Sequence, residues 1–182
     1  MYLGLDLGTS SVTALIVDAS GTAVASQSVP LQVIRQKAGW SEQDPQSWWD
    51  ATNRAVRSLG AECPEEMRKI TGIGLSGQMH GLTALDANDT VLRPAILWND
   101  TRSASQAMQL DTGHPAFRQL GGNAVMPGFT APKAVWIAEN EPELFQRLDT
   151  VLLPKDYLRL RMTGEKASDM SDAAGTLWLD VA

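Results

Sequence analysis

Asp6-Leu7-Gly8-Thr9 sets a carboxylate at the mouth of an apolar run and a glycine in the turn that follows. A loop of this kind offers main-chain amides to phosphate oxygens, and a carboxylate beside it can hold Mg2+ through the ion's water shell. Taken alone, the same tetrapeptide is equally an ordinary hairpin turn. Gly77-Gln78-Met79-His80-Gly81 brackets a thioether and an imidazole between glycines that let the backbone approach a ligand closely. A polyol needs a few directed polar partners, and such a turn supplies them. Read singly, His80 is a surface-loop histidine and Met79 a packing residue. Trp98, Asn99 and Asp100 close a further apolar run, with Arg102 two positions on. The ring can stack on a sugar, the polar groups can bond its hydroxyls, and Arg102 can hold Asp100 in place. The plainer alternative is a core tryptophan and a surface ion pair. Lys133 reads either as a phosphate contact or as a solvated or ion-paired lysine.

These residues need elements to position them. Tyr2–Leu7, Val12–Asp18 and Thr22–Ser28 are β-type runs separated by Gly8-Thr9-Ser10-Ser11 and Ala19-Ser20-Gly21. Their short turns predict an antiparallel meander. Asp44-Pro45 predicts a helix start, and Trp48, Trp49, Thr52, Ala55, Val56 and Leu59 recur at helical spacing up to Gly60. Ile70–Leu75 returns as a strand through this crossover. Leu82–Leu85, Val91–Leu92, Ala95–Trp98 and Val151–Leu153 are further short strands. Ser103–Leu110, Ala131–Asn140 and Lys155–Met162 are helices, with another helical turn at Pro142–Arg147. One α/β domain accounts for all of this.

Bulk properties narrow the function classes. A length of 182 residues suits one domain with a core that needs no disulfide or structural metal. Cys63 is the single cysteine, so an internal disulfide and a multi-cysteine metal cluster are excluded. No apolar run approaches the roughly 18 residues of a membrane span, and the start lacks the basic and long apolar regions of a secretory signal. Cytoplasmic localisation is the expectation. A formal net charge of −6, with scattered basic residues, argues against nucleic acid and against a membrane surface as partner. The expected partner is a small molecule.

Four segments in this order, "LGLDLGTSS", "GLSGQMHG", "AILWNDTRS" and "MPGFTAPKAVW", closely resemble the amino-terminal domain of the FGGY family of carbohydrate kinases. "WSEQDP" at Trp40–Pro45 adds to the likeness, which runs from Tyr2 to about Asp180. The resemblance implies an α/β fold of the ribonuclease H-like type, in the actin-like ATPase superfamily, with a mixed sheet flanked by helices. It implies ATP and Mg2+ as cofactors, with Asp6 positioning the metal and Gly8, Thr9 and Ser10 beside the phosphates. Within the family, "GQMHG" marks members that phosphorylate D-xylulose to D-xylulose 5-phosphate, where the Met-His pair contacts the ketose; glycerol-phosphorylating members carry Arg-Glu there. Met79, His80, Trp98, Asn99 and Asp100 are the implied sugar contacts.

The chain departs from the commoner "GTSGxK" loop, with Ser11 in place of the second glycine and Thr13 in place of the lysine. Ala134 is smaller than the usual residue at its position, which predicts a looser helix. Asp169 and Ser171 fall in a stretch that often borders the family's cleft. The resemblance puts the catalytic base in a downstream glycine-rich segment and a nucleotide-binding domain beyond Ala182, so the 182-residue chain by itself is expected to fold but to turn over little. Self-association to a homo-oligomer stays open. So do a sibling kinase acting on another sugar or polyol, and a non-catalytic actin-like nucleotide-binding domain.

Overall fold

The structure is a computed structural model that describes residues 1–181. In chain order the elements are β1 (Tyr2–Leu7), β2 (Ser11–Val17), β3 (Ala23–Pro30), β4 (Glu42–Gln43), α1 (Pro45–Glu62), α2 (Pro64–Met67), β5 (Gly72–Gly77), β6 (Thr83–Leu85) and β7 (Ala95–Ile96). There follow α3 (Ala104–Gly113), α4 (Ala116–Gly121), α5 (Thr130–Asn140), α6 (Pro142–Arg147), β8 (Thr150–Leu152), α7 (Pro154–Thr163), α8 (Met170–Ala173) and a 3-10 turn at Ala174–Thr176. Contacts divide the chain into two compact units. The first comprises Met1–Val33 and Gln46–Gln78; the second comprises Ile34–Pro45 and the chain from Met79 onward.

The first unit is a four-stranded mixed sheet in the order β3-β2-β1-β5. β1 and β2 pair antiparallel, as do β2 and β3, while β1 and β5 are parallel. This is the predicted meander followed by a crossover strand. Alternation along β1 and β2 sends Leu3, Leu5, Ala14 and Ile16 to one face, where Ala55 and Leu59 of α1 meet them. The opposite face carries the out-of-phase residues Gly4, Asp6, Thr13, Leu15, Gly74 and Ser76, which line a depression of about 470 Å³.

Helix α1 runs on through Gly60 rather than stopping before it. A glycine in the last turn weakens a helix without forbidding it, and the helix ends two residues later, at Glu62, for a stronger reason. Cys63 precedes Pro64, whose ring excludes the α conformation from the residue before it, and Cys63 has φ −129° and ψ 60°. Pro64 then starts α2 at the position where its missing N–H costs nothing.

The second unit is built from two antiparallel strand pairs, β4 with β7 and β6 with β8. They are stitched by mutual hydrogen bonds between Leu82 and Ile96. Val91 makes only an isolated bridge to Leu85, so the predicted Val91–Leu92 strand does not form. Asp86 caps the intervening turn by accepting from the Asn88 and Thr90 amides. Helix α5 bridges two apolar clusters. Ala131 joins Ala107, Val125, Phe129 and Leu177, whereas Ile137 packs with Leu82, Ala84 and Ile96. Ala134 sits against the latter cluster. No helix among the described residues is long and apolar enough to cross a membrane.

Truncating Leu59, which is fully buried between α1 and the sheet, tests the first core. Leu59→Ala is expected to lower unfolding free energy by about 2–5 kcal/mol in urea titrations. A loss below about 0.5 kcal/mol would mean that α1 does not anchor this sheet.

Candidate active site

Asp6 sits one residue from the end of β1, opposite Thr13 of β2 and Ser76 of β5 in the ladder. It lies on the face away from α1 and is exposed, and its carboxylate accepts a hydrogen bond from Ser76 Oγ at 2.7 Å. Thr13, in place of the commoner lysine, shares a hydrogen bond with Ser28 Oγ at 3.2 Å. Directly across the ladder from Asp6 there is thus a hydroxyl where a cation would otherwise stand.

In the loop that follows, the Gly8 N–H is not free for a phosphate, because it donates to the Ser11 carbonyl at 3.0 Å. What Gly8 contributes is its lack of a side chain, since a Cβ there would come within 3.2 Å of the Ser11 oxygen. Thr9 Oγ1 donates to Gln78 Oε1 at 3.0 Å, and the Gln78 N–H donates to the Leu7 carbonyl at 2.7 Å. These bonds tie the loop after β1 to the end of β5. Ser10 is exposed, and its carbonyl accepts from the Leu31 amide. An Mg2+ ion is normally held by one or two carboxylates plus substrate phosphates. The lone, exposed Asp6 fits that pattern, and no cluster of three ligating side chains occurs among the described residues.

In the second unit, His80 adopts φ 60°, the left-handed region that non-glycine residues avoid. The Gly81 N–H donates to the Met79 carbonyl at 2.7 Å, closing a three-residue turn with His80 at its centre. Neighbours hold it there. The His80 carbonyl accepts from Lys133 Nζ at 2.9 Å and from Thr130 Oγ1 at 3.1 Å. The ring meets Phe129 edge-on at 4.5 Å, and its Nδ1 lies 3.2 Å from the Gly175 carbonyl. A Cβ on Gly175 would run into the imidazole, and one on Gly81 would press on Pro154.

A carbonyl can only accept, so Nδ1 carries the proton in this contact and Nε2 of the neutral ring is left as an acceptor. Burial, reinforced by the Lys133 charge, holds the His80 pKa below its ordinary 6.5, against the opposing Gly175 bond. Met79 is half exposed.

Trp98 and Asn99 project from the turn after β7, both exposed. Gly128 packs against the Trp98 carbonyl so closely that a Cβ would lie 2.7 Å from it. Lys133 Nζ donates to the Gly128 carbonyl at 2.8 Å as well as to His80. One lysine therefore ties the His80 turn to the segment that backs Trp98. Sequence reasoning offered Lys133 to a phosphate, or to solvent or an ion pair. Lys133 is instead fully buried, and burial first of all, with Arg102 nearby, pulls its pKa from 10.5 to about 7 despite the favourable charge of Asp100.

Asp100 points inward. Its two oxygens accept from the Ser41 amide at 2.6 Å, from the Arg102 amide at 2.9 Å, and from the Arg102 guanidinium at 3.0 and 2.7 Å. The sequence-level expectation that Arg102 holds Asp100 is met, but the pair is buried rather than on the surface. A carboxylate with four donors and almost no exposure positions a loop and has little left for a sugar. Arg102 also pairs with Glu42 at 2.7 Å, stacks 3.6 Å above the Trp40 ring, and shares Glu42 with Arg93. Asp169 and Asp172, with Asp156, surround Lys155, whose pKa rises because three ion pairs outweigh its burial.

Sequence reasoning gave no supporting role to Gly128, Phe129 or Gly175, although the first two fall inside the "MPGFTAPKAVW" segment. Gly175 reaches His80 across 95 positions.

The family model for the FGGY family of carbohydrate kinases, N-terminal domain, matches residues 1–182. A xylulose kinase from Escherichia coli (strain K12) is 56% identical over 182 residues, covering 100% of this chain and 37% of that protein. A crystal structure of a xyloylose kinase from Brucella ovis superposes with TM-score 0.96 and 60% identity, over 98% of this chain and 37% of that one. The xylulose kinase from Rhodospirillum rubrum gives TM-score 0.94 and 31% identity, over 99% and 37%. The chain thus spans little more than a third of the length of these relatives.

Two expectations follow from the buried charges. Asp100→Asn should lower unfolding free energy by about 3 kcal/mol, because it strips one partner from a buried Arg102; unchanged urea stability would show that the pair carries no such weight. An unfolded lysine keeps its proton to about 10.5, whereas folded Lys133 releases it near 7, so the folded state binds fewer protons in between. Raising pH through that interval should therefore increase wild-type stability relative to Lys133→Met, and a pH-independent difference would contradict it.

Proposed function

This chain belongs to the FGGY family of carbohydrate kinases, and from that premise we propose that it supplies the sugar-binding domain and first phosphate loop of a xylulokinase. The reaction is ATP-dependent phosphorylation of D-xylulose to D-xylulose 5-phosphate. The fold is the α/β, ribonuclease H-like fold of the actin-like ATPase superfamily, a mixed sheet with flanking helices. The observation that carries the substrate reading is the 56% identity to a xylulose kinase along the whole of this chain.

The side chains support it chemically. An uncharged imidazole with an accepting Nε2, next to a half-exposed thioether, suits a neutral polyhydroxy ketone better than a charged substrate. Trp98 offers an exposed ring for stacking and Asn99 a polar side chain for hydroxyls. We keep Met79, His80, Trp98 and Asn99 as sugar contacts and assign Asp100 to holding the loop beneath them.

Asp6 would hold Mg2+, with Gly8, Thr9 and Ser10 lining the phosphate side, and the bound ion would neutralise charge on the transferred phosphoryl group. In the reaction the primary hydroxyl oxygen of the sugar bonds to the γ-phosphorus, the bond to the β,γ-bridging oxygen breaks, and ADP leaves. The hydroxyl proton passes to a base. Asp6 is not proposed for that task, because a carboxylate committed to a cation is a poor proton acceptor. The cytoplasm, where MgATP is abundant, is the proposed compartment.

The test is a coupled assay of the full-length protein with MgATP and a panel of D-xylulose, L-xylulose, ribulose, gluconate and glycerol. D-xylulose should give the highest kcat/KM. His80→Ala should raise the sugar KM by about tenfold or more while the KM for ATP stays within about threefold. Preference for gluconate or another polyol would overturn the substrate, and ATP binding without turnover of any sugar would favour a non-catalytic nucleotide-binding domain.

A further inference from the structure

The reading of Met79-His80 as the sugar-contacting turn leaves a question of what keeps that turn in a conformation a histidine disfavours. A positive φ at a non-glycine residue persists only where the surroundings over-determine it. Two of the restraints fall on one atom. The His80 carbonyl oxygen takes two donors from the first turn of α5, Lys133 Nζ at 2.9 Å and Thr130 Oγ1 at 3.1 Å.

Lys133 is an expensive way to make such a bond. It is fully buried, no carboxylate among the described residues forms an ion pair with it, and it stands in the first turn of a helix, where the macrodipole opposes a cation. A methionine would fill nearly the same volume without those penalties. What a methionine cannot do is bond two carbonyls at once, and the second of these belongs to Gly128, whose backbone rests on the Trp98 carbonyl. The two carbonyls bring the His80 turn and the Trp98 turn to a single nitrogen.

We propose that Lys133 is a positioning residue for substrate recognition: by donating to the carbonyls of His80 and Gly128 it fixes the imidazole and the Trp98 turn in the arrangement that binds the sugar, without touching the sugar itself. Thr130 shares the first of these duties. The proposal rests on the assignment of His80 to the sugar, and it places Lys133 away from the phosphates.

The experiment uses the full-length protein with Lys133→Met, Lys133→Arg and Thr130→Val. Lys133→Met should raise the D-xylulose KM by about tenfold or more, with kcat and the KM for ATP within about threefold. Thr130→Val should move the same parameter in the same direction by a smaller factor, and Lys133→Arg, which keeps the donors, should recover part of the loss. A Lys133→Met protein that melts earlier but keeps its sugar KM within about twofold would overturn the proposal, leaving Lys133 a purely structural residue. If Lys133→Met does not fold, Thr130→Val decides alone, since it deletes a single hydroxyl; an unchanged KM there refutes the carbonyl's role.

The ring signals of His80 in carbon-13-labelled protein give a second readout that needs no turnover. They should shift in Lys133→Met and Thr130→Val and return toward wild type in Lys133→Arg; signals unmoved in all three overturn the proposal. Should wild type prefer another sugar, or none, while the His80 signals respond as stated, the substrate reading fails and the positioning role stands.

Discussion

A guanidinium taken out of water governs the second unit. Arg102 has 1% of its side-chain surface exposed, and it is tolerated there because Asp100, Glu42 and the face of Trp40 occupy its directions. These partners lie on two stretches of chain. Trp40 and Glu42 belong to β4 and the residues just before it, and Asp100 to the turn after β7, so satisfying one side chain brings the two together. Main-chain bonds from Leu97 to Ser41 and from Thr101 to Gly39 follow the same alignment. With Asp100 drawn inward, Trp98 and Asn99 are left exposed.

The same charges set the state of Lys133. Asp100 favours its cation and Arg102 opposes it, with burial the larger influence. The lysine in turn lowers the basicity of His80. The neutral imidazole in the second unit owes most to its own burial, with the lysine's charge second. The first unit works by simpler means. Its carboxylate is placed by strand register: alternation along β1 sends Leu3 and Leu5 to the helix side and Asp6 to the other, and parallel pairing with β5 brings up Ser76. No buried charge is needed, and Asp6 remains exposed.

Much of this was legible in the residues. The meander, the parallel β5, α1 and the helix at α5 follow from apolar periodicity and turn residues, and they lie within a few positions of their expected ends. The pairing of Arg102 with Asp100 followed from their spacing. Other features escaped for physical reasons. Gly60 reads as a helix stop, yet Pro64 sets the end of α1, because a proline's steric veto on its predecessor exceeds a glycine's weak disfavour. Val91–Leu92 has strand-forming residues and no partner to pair with beyond one bridge. The short helices α4 and α8 carry too few residues to show a period.

The sequence by itself determined which chemistry was available. It placed a carboxylate and a glycine after the first strand, a Met-His pair between glycines after the crossover strand, and an aromatic-amide pair after a third apolar run, because type and order are properties of the chain. Which of those groups stay exposed was decided only in three dimensions. Asp100 looked like a sugar contact and is taken up by Arg102 and the Ser41 amide; Lys133 read as a phosphate contact or as a solvated or ion-paired lysine and is taken up by two carbonyls; Gly175, unremarkable in sequence, makes room for an imidazole 95 residues away. Burial and hydrogen-bond occupancy depend on segments far apart in the chain, and no local pattern encodes what a distant segment will bring.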